Sequence, residues 1–194
     1  QQESSQFSSN SAPQRGFIPE GSKTFSELAA QLSKSAGSVL LFAPSARECD
    51  ELIKILSLAL GNRVISFDSW RKLKGNEKLS RVIVGMRSMI FIQAVDVTEM
   101  VIVDEASEHY WEKRSPFWNL RDVALLKSQM ESIPLTFISG SPSLELVRLS
   151  ELGYLEFAKP SRQFLKRRRF SNAPDTYHRT VRSGLERGNV LRIS

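Results

Sequence analysis

The stretch Glu99-Met-Val-Ile-Val-Asp104-Glu105 limits the possible folds of this chain more than any other: an unbroken apolar run of strand length that ends abruptly in two acids. A strand with no polar alternation is buried on both faces, which calls for a parallel sheet covered by helices on either side. Ligands of such sheets gather outside the carboxyl ends of the strands, where Asp104 and Glu105 stand. In ATPases an Asp at this place holds Mg²⁺ and an adjacent Glu orients the attacking water. An Asp-Glu pair that merely caps the following turn reads the same way, so the rest of the chain has to separate the two.

The flanking sequence alternates strand-like and helix-like segments. Strands are expected at Val39 to Phe42, Val64 to Phe67, Val82 to Val84, Met100 to Val103 and Leu135 to Ile138. A helix over Phe25 to Ser35 is broken by Gly37, and a second, capped by Ser45 and stopped at Gly61-Asn62, turns Leu52, Ile55, Leu56 and Ala59 inward. A polar helical stretch runs through Lys78, Asn119 to Ser132 places Val123, Leu126 and Met130 inward, and Leu144 to Glu151 follows a Ser-Pro-Ser turn. Tyr154 to Ala158 fits a short edge strand. The alternation predicts an α/β fold with right-handed crossovers.

Gly16-Phe-Ile-Pro-Glu-Gly21-Ser22-Lys23-Thr24 looks at first like a phosphate-binding loop. That motif needs Gly, four residues, then Gly-Lys-Thr, so that backbone N–H groups wrap the phosphates and the Lys reaches them; here Ser22 intrudes between Gly21 and Lys23, and Pro19 removes an N–H. No apolar strand precedes it in the sequence. The alternative is that Ser22 or Thr24 simply caps the next helix.

Glu108-His109-Tyr110-Trp111-Glu112-Lys113-Arg114-Ser115-Pro116-Phe117-Trp118 is the most unusual composition in the chain. Its aromatics and charges follow neither a helical nor a strand period, which reads as a surface loop. Aromatics beside Lys and Arg stack bases while the cations hold phosphates, so single-stranded nucleic acid suits it. In the competing reading Trp111, Phe117 and Trp118 fold back and close the core.

The formal net charge of +6 is unevenly placed: ten Lys and Arg against two acids from Lys159 onward, leaving −2 for the first 158 residues. Such segregation argues for a separate surface facing phosphates. The polar start, Gln1 to Arg15, has too little apolar surface to offset ordering entropy, and the leader is taken to reach Glu20. The expected organisation is a disordered leader at 1–20, a lobe at 21–158, and a basic linker with the start of a truncated further lobe at 159–194, where Thr176 to Glu186 reads as helix and Gly188 to Ile193 as strand. No stretch has a signal peptide's layout or the roughly 20 apolar residues of a membrane span, so the chain reads as cytoplasmic. The single cysteine, Cys49, reads as a structural thiol, and with two histidines it leaves no zinc site.

Taken together, Ala43-Pro44-Ser45, Gly85-Met86-Arg87-Ser88, Asp104-Glu105 with the charged aromatic loop and Arg121-Asp122-Val123-Ala124, then Ser139-Gly140-Ser141-Pro142-Ser143-Leu144-Glu145, resemble the first helicase lobe of the PriA family of replication-restart proteins. The resemblance runs from Phe25 to Tyr154. It implies a three-layer, RecA-like lobe of the P-loop NTPase kind, an Asp-Glu pair that binds Mg²⁺·ATP and activates water, and an aromatic-rich loop that couples DNA contact to hydrolysis. The chain departs from that family in its degenerate phosphate loop, the missing strand before it, Ala106-Ser107 where the acidic motif continues as Glu-His, and the absent zinc-binding cysteines and second lobe. These losses resemble the divergent, helicase-deficient actinobacterial branch.

The expected function is therefore DNA binding in replication restart without helicase or ATPase activity. Two alternatives stand beside it: an active DNA-dependent ATPase and 3′–5′ helicase, and a silent fragment or protein-interaction module. Asp104 and Glu105 are the candidate catalytic pair, with Mg²⁺ at Asp104, and Gly21, Ser22, Lys23 and Thr24 the candidate nucleotide contacts. Arg87, Trp111, Lys113, Arg114 and Trp118, with Arg162, Lys166, Arg167, Arg168 and Arg169 in the tail, are the candidate DNA contacts. The expected partners are forked or single-stranded DNA and other primosome or replication proteins, with no membrane.

Overall fold

The computed structural model describes residues 15–19, 24–94, 96–140 and 142–157. By its contacts the chain divides into two units, Gln1–Ala158 and Lys159–Ser194. The basic tail, its expected helix and strand, and residues 1–14 of the expected leader lie outside the described residues.

In chain order the elements are β1 (Arg15–Pro19), α1 (Thr24–Leu32), β2 (Ser38–Phe42), α2 (Ala46–Leu60), β3 (Val64–Ser66), α3 (Phe67–Lys72), β4 (Val82–Gly85) and β5 (Val97–Val103). They continue with β6 (Trp111–Glu112), β7 (Trp118–Asn119), α4 (Leu120–Glu131), β8 (Leu135–Ser139), α5 (Leu144–Glu151) and β9 (Glu156–Phe157). One sheet runs β3-β4-β2-β5-β8-β1-β9 with every neighbouring pair parallel, and β6 and β7 form a separate antiparallel pair.

Alternate residues of each strand serve opposite layers. Leu40, Phe42, Ile83, Met100, Ile102, Leu135 and Phe137 join one core with Trp70, Leu120, Ala124 and Leu146 from α3, α4 and α5. Val39, Leu41, Val82, Val84, Val101, Val103 and Ile138 face Leu28, Leu32, Cys49, Leu52 and Leu56 from α1 and α2. The absence of polar alternation in these strands follows directly, because both faces are dry. This is a three-layer α/β lobe, with all the main carboxyl ends on one edge.

The local signals work as their chemistry requires. Ser45 accepts from the Glu48 N–H while its hydroxyl donates to the Glu48 carboxylate, a reciprocal cap at the start of α2. Gly61, at φ +55°, ends that helix in a conformation costly for residues with a Cβ.

Three expectations need correction. Arg15–Pro19 is a strand inside the sheet, between β8 and β9, and not part of a leader; a strand does precede the candidate phosphate loop. Its two apolar residues, Phe17 and Ile18, are too few to show a period, and its place is fixed by pairing on both sides. On α4 the buried stripe is Leu120, Arg121, Ala124 and Ser128, whereas Leu126 and Met130 are exposed. The larger apolar side chains suggest a different inward face, but Asn119 caps the helix and sets Leu120 as the first inward position, with Ala124 and Ser128 following at four-residue steps. On α2, likewise, Ile55 and Ala59 face out and Cys49 takes the inward place.

Candidate functional site

β5 delivers the two acids. Asp104 donates its backbone N–H to the Ile138 carbonyl at 2.7 Å, which ties the end of β5 to β8, and its φ of +52° turns the chain sharply out of the sheet. Asp tolerates this left-handed conformation better than most residues, since its short side chain bonds locally. The turn leaves Asp104 exposed and sends Glu105 inward, where it is 1% exposed. One Glu105 oxygen, Oε1, accepts from the Ser143 backbone N–H at 2.8 Å at the start of α5. The other, Oε2, is buried and has no hydrogen-bond partner among the described residues. Burial pushes the Glu105 carboxyl above its ordinary range, opposed by the Ser143 hydrogen bonds and the Arg121 charge.

Arg121 stands at the start of α4, almost fully buried. Its Nε donates to Asp122 Oδ1 at 3.1 Å, and Nη1 reaches Glu145 Oε2 at 3.4 Å and Ser143 Oγ at 3.5 Å. Ser143 thus serves three groups: its N–H goes to Glu105, while its Oγ caps α5 through the Leu146 N–H and lies beside Arg121. The Arg121-Asp122 and Ser-Pro-Ser motifs, distant in sequence, meet at the acid pair.

A nucleotide needs a phosphate cradle as well as acids. β1 and β5 are separated only by β8, so their ends lie about 10 Å apart, two strand spacings. That placement suits a phosphate loop leaving β1. The connection to α1 does not, because only Glu20 to Lys23 intervene and Gly16 to Pro19 are paired with β8. Gly16, needed as the first residue of the loop, is a ladder residue between Thr136 and Glu156. Thr24 is buried as the first residue of α1. Gly21, Ser22 and Lys23 lie outside the described residues. The residues on either side of that short connection therefore do not fit the backbone wrap that holds a nucleoside triphosphate.

The aromatic segment behaves differently along its length. Tyr110 is core: its hydroxyl lies 2.6 Å from the Val103 carbonyl and 3.1 Å from that of Phe42, so one proton is shared between the carboxyl ends of β5 and β2. Trp118 is half-buried and meets Phe91 edge to face at 5.0 Å. Trp111 and Phe117, by contrast, are 48% and 75% exposed. The segment is thus both core and surface, divided by the β6–β7 pair, which closes its base through Trp111 with Asn119 and Glu112 with Trp118.

Arg87 joins this hairpin to the sheet. It follows β4 in a 3-10 turn, Arg87–Phe91, and donates from Nη1 to the His109 carbonyl at 2.8 Å and from Nη2 to Glu112 Oε2 at 3.1 Å. Glu112 also accepts from the Arg114 N–H, and hydrogen bonds from Arg87 and Arg114 hold its carboxyl below the ordinary range. Arg87, Glu108, His109, Trp111, Glu112, Lys113 and Arg114 line one cavity of about 400 Å³. Four of the five candidate DNA contacts within the described residues therefore line a single cavity; Trp118 does not line it and packs against Phe91. The tail candidates, Arg162, Lys166, Arg167, Arg168 and Arg169, lie outside the described residues.

Sequence comparisons give the lobe its relatives. The replication restart protein PriA of Bacillus subtilis is 29% identical over 90 residues, 46% of this chain and 11% of that protein. A probable replication restart protein PriA of Mycobacterium leprae is 27% identical over 117 residues, 54% of this chain and 17% of that protein. The replication restart protein PriA of Synechocystis is 28% identical over 121 residues, 56% of this chain and 14% of that protein. This lobe is similar to part of PriA.

The chain spans less than a fifth of the length of these PriA relatives. No protein-family model matches it. Among solved structures, yeast Dbp5 L327V bound to Nup159, Gle1 H337R, IP6 and ADP aligns with a TM-score of 0.49 at 10% identity, covering 77% of this chain and 45% of that one.

Two features of the candidate site escape sequence reasoning. Phe91, 61% exposed beside Trp118, belongs to the aromatic surface although it comes from the segment after β4. Its exposure has no local signal, since Met89 and Ile90 in the same apolar run are buried. Arg121 and Ser143 contact the acid pair's environment from two helix starts; their motifs are visible in the sequence, but their meeting depends on the β5–β8 pairing.

Proposed function

We propose that this chain binds DNA, single-stranded or forked, as a replication-restart component working with other primosome proteins, and that it does not hydrolyse ATP. The observation that carries the DNA reading is the cavity beside Trp111, in which Arg87, His109, Lys113 and Arg114 supply donors around an exposed indole. A base stacks on the indole, and the adjoining phosphates take the cations. Glu108 and Glu112 limit non-specific retention of anions by already engaging Lys113 and Arg87, and a phosphate competes for both cations. Among the described residues no helix is long and apolar enough to cross a membrane.

The absence of hydrolysis rests on positioning. Phosphoryl transfer depends on fixed donors around the phosphate, and a four-residue connection with Gly16 locked in β1 leaves too few. The second reading, an active ATPase, is favoured by one observation: β1 enters the sheet beside β8, as a phosphate-loop strand must. Steady-state phosphate release by the purified full chain, with and without forked DNA, separates the two. Background rates are expected. Turnover that is abolished by Lys23→Ala or Glu105→Ala would establish the ATPase.

A further inference from the structure

The segment after β3 carries a second, differently built charged surface. Arg71, Lys72 and Lys74 are exposed and Lys78 is half-buried. Six described cations, Arg47, Arg87, Lys113, Arg121, Lys127 and Arg148, have carboxylate partners within 4 Å, and Arg63 and Arg81 donate to backbone carbonyls instead. Among the described residues none of the four in this segment has a carboxylate partner. Two of them rest on aromatic rings instead: Arg71 lies 5.7 Å from the Phe67 centroid and Lys78 4.6 Å from that of Trp70. Phe67 and Trp70 stack on one another at 6.3 Å, and the Trp70 indole N–H donates to the Lys78 carbonyl at 3.1 Å, which folds the end of the segment back onto α3.

This arrangement matters because a ring face holds a cation in place without neutralising it. An ion pair must be broken before a phosphate gains the charge; a stacked cation is oriented and still available. The two acids of the segment, Asp68 and Glu77, sit in the first turns of α3 and of the 3-10 turn Gly75–Lys78, where the backbone N–H groups favour a negative charge. The surface also adjoins the site already described. Gly85 admits Phe67 closely: a Cβ there would stand 3.0 Å from Phe67 Cβ and 2.9 Å from Met89 Sδ. Arg87 follows two residues later. α3 begins where β3 ends and Arg87 where β4 ends, so both leave the same edge of the sheet from adjacent strands.

We propose that Phe67–Lys78 is a second nucleic-acid contact, binding the phosphodiester backbone of a strand whose bases are taken at Trp111. This rests on the DNA-binding reading and extends it to a track that starts at the carboxyl ends of β4 and β3 and follows α3 toward their amino ends, where Arg81 donates to the Glu77 and Asn62 carbonyls. The cations supply sequence-independent affinity, and Arg87 with the hairpin supplies the stacking site.

Anisotropy titrations of the full chain with fluorescent single-stranded oligothymidylate, across a salt series, test it. Each lost phosphate contact on a single strand flattens the slope of log K against log salt by about 0.7. The triple variant Arg71→Gln, Lys72→Gln, Lys74→Gln is expected to flatten the slope by about 2 with an unchanged melting temperature. Should it fail to fold, the double variant Lys72→Gln, Lys74→Gln is read instead, with an expected change of about 1.4. Wild-type binding with the slope and affinity kept in the folded variant overturns the track and leaves the DNA reading intact. No binding by the wild type overturns both.

Discussion

Glu105 and Arg87 stand at the carboxyl ends of two strands of one sheet, β5 and β4, with only β2 between them, yet their surroundings are opposite. Glu105 is dry, with one oxygen spent on the Ser143 N–H and the other unpartnered. Arg87 is half-exposed, lines an open cavity, and spends its donors on a carbonyl and a carboxylate that a phosphate can replace. A shared sheet edge therefore does not give equal capacity to bind. What each strand end can do depends on how much of its polar chemistry the fold has already consumed. At β5 the turn at Asp104 buries Glu105 and the start of α5 takes one of its oxygens; at β4 the hairpin leaves Arg87 open to the cavity.

Tyr110 and Trp111 put the boundary between these regimes across a single peptide bond, so replacing each breaks the comparison in a different way. Tyr110 is fully buried under the ends of β2 and β5, and Tyr110→Ala is expected to destabilise the fold by about 3–5 kcal/mol, the range for large aromatic truncations in cores. Trp111→Ala is expected to change stability by no more than about 0.5 kcal/mol. Denaturant titrations measure both, and similar losses for the two would mean that the loop is uniformly core. The binding consequence is inverted. Trp111→Ala is expected to weaken single-stranded DNA binding by about 1–3 kcal/mol with little change in salt slope, since stacking is lost and no cation is. An unaltered affinity would remove Trp111 from the site.

A smaller effect sharpens the acid side. Ser143 caps α5 with its Oγ, and its backbone N–H holds Glu105. Ser143→Ala removes the cap but keeps the N–H, so a loss of about 1 kcal/mol in stability is expected. DNA affinity should not move, because the acid end is held apart from the cavity. A parallel drop in affinity would show that the two ends are coupled through Arg121 and α4.

The sequence reading reached the sheet because its strands are buried on both faces and leave an unmistakable apolar run, as in Met100 to Val103. Trp111, Lys113 and Arg114 stand out in the sequence because charged aromatics without a period have few structural uses, and with Arg87 they line one cavity. The sequence reading missed β1, whose Arg-Gly-Phe-Ile-Pro carries almost no pattern and is set by parallel neighbours at both sides. It also missed which aromatics of the loop face inward. Tyr110 is placed by the carbonyls that its hydroxyl finds, and those belong to residues 7 and 68 positions away. Nothing local distinguishes it from Trp111.

The smallest predicted effect comes from the amino end of β5, away from both sites. Glu99 is half-buried there, and Gln31 Nε2 donates to its Oε1 at 2.8 Å. Burial pushes the Glu99 carboxyl above its ordinary range, and hydrogen bonds from Thr136 and Gln31 offset this only in part. A carboxyl raised in the folded state binds its proton more readily folded than unfolded. Its contribution to stability is fully present below the unfolded value and is lost as pH rises through the folded value. Glu99→Gln keeps an acceptor for Gln31 and has no proton to lose. The variant should therefore match the wild type most closely in acid and gain relative to it as pH rises through the carboxylate range, with the difference levelling above it. Urea midpoints at a series of pH values measure that difference directly. A gap that stays constant across the series would mean that Glu99 is as free to ionise in the folded lobe as in the unfolded chain, and that even the amino end of this strand is wetter than its packing indicates.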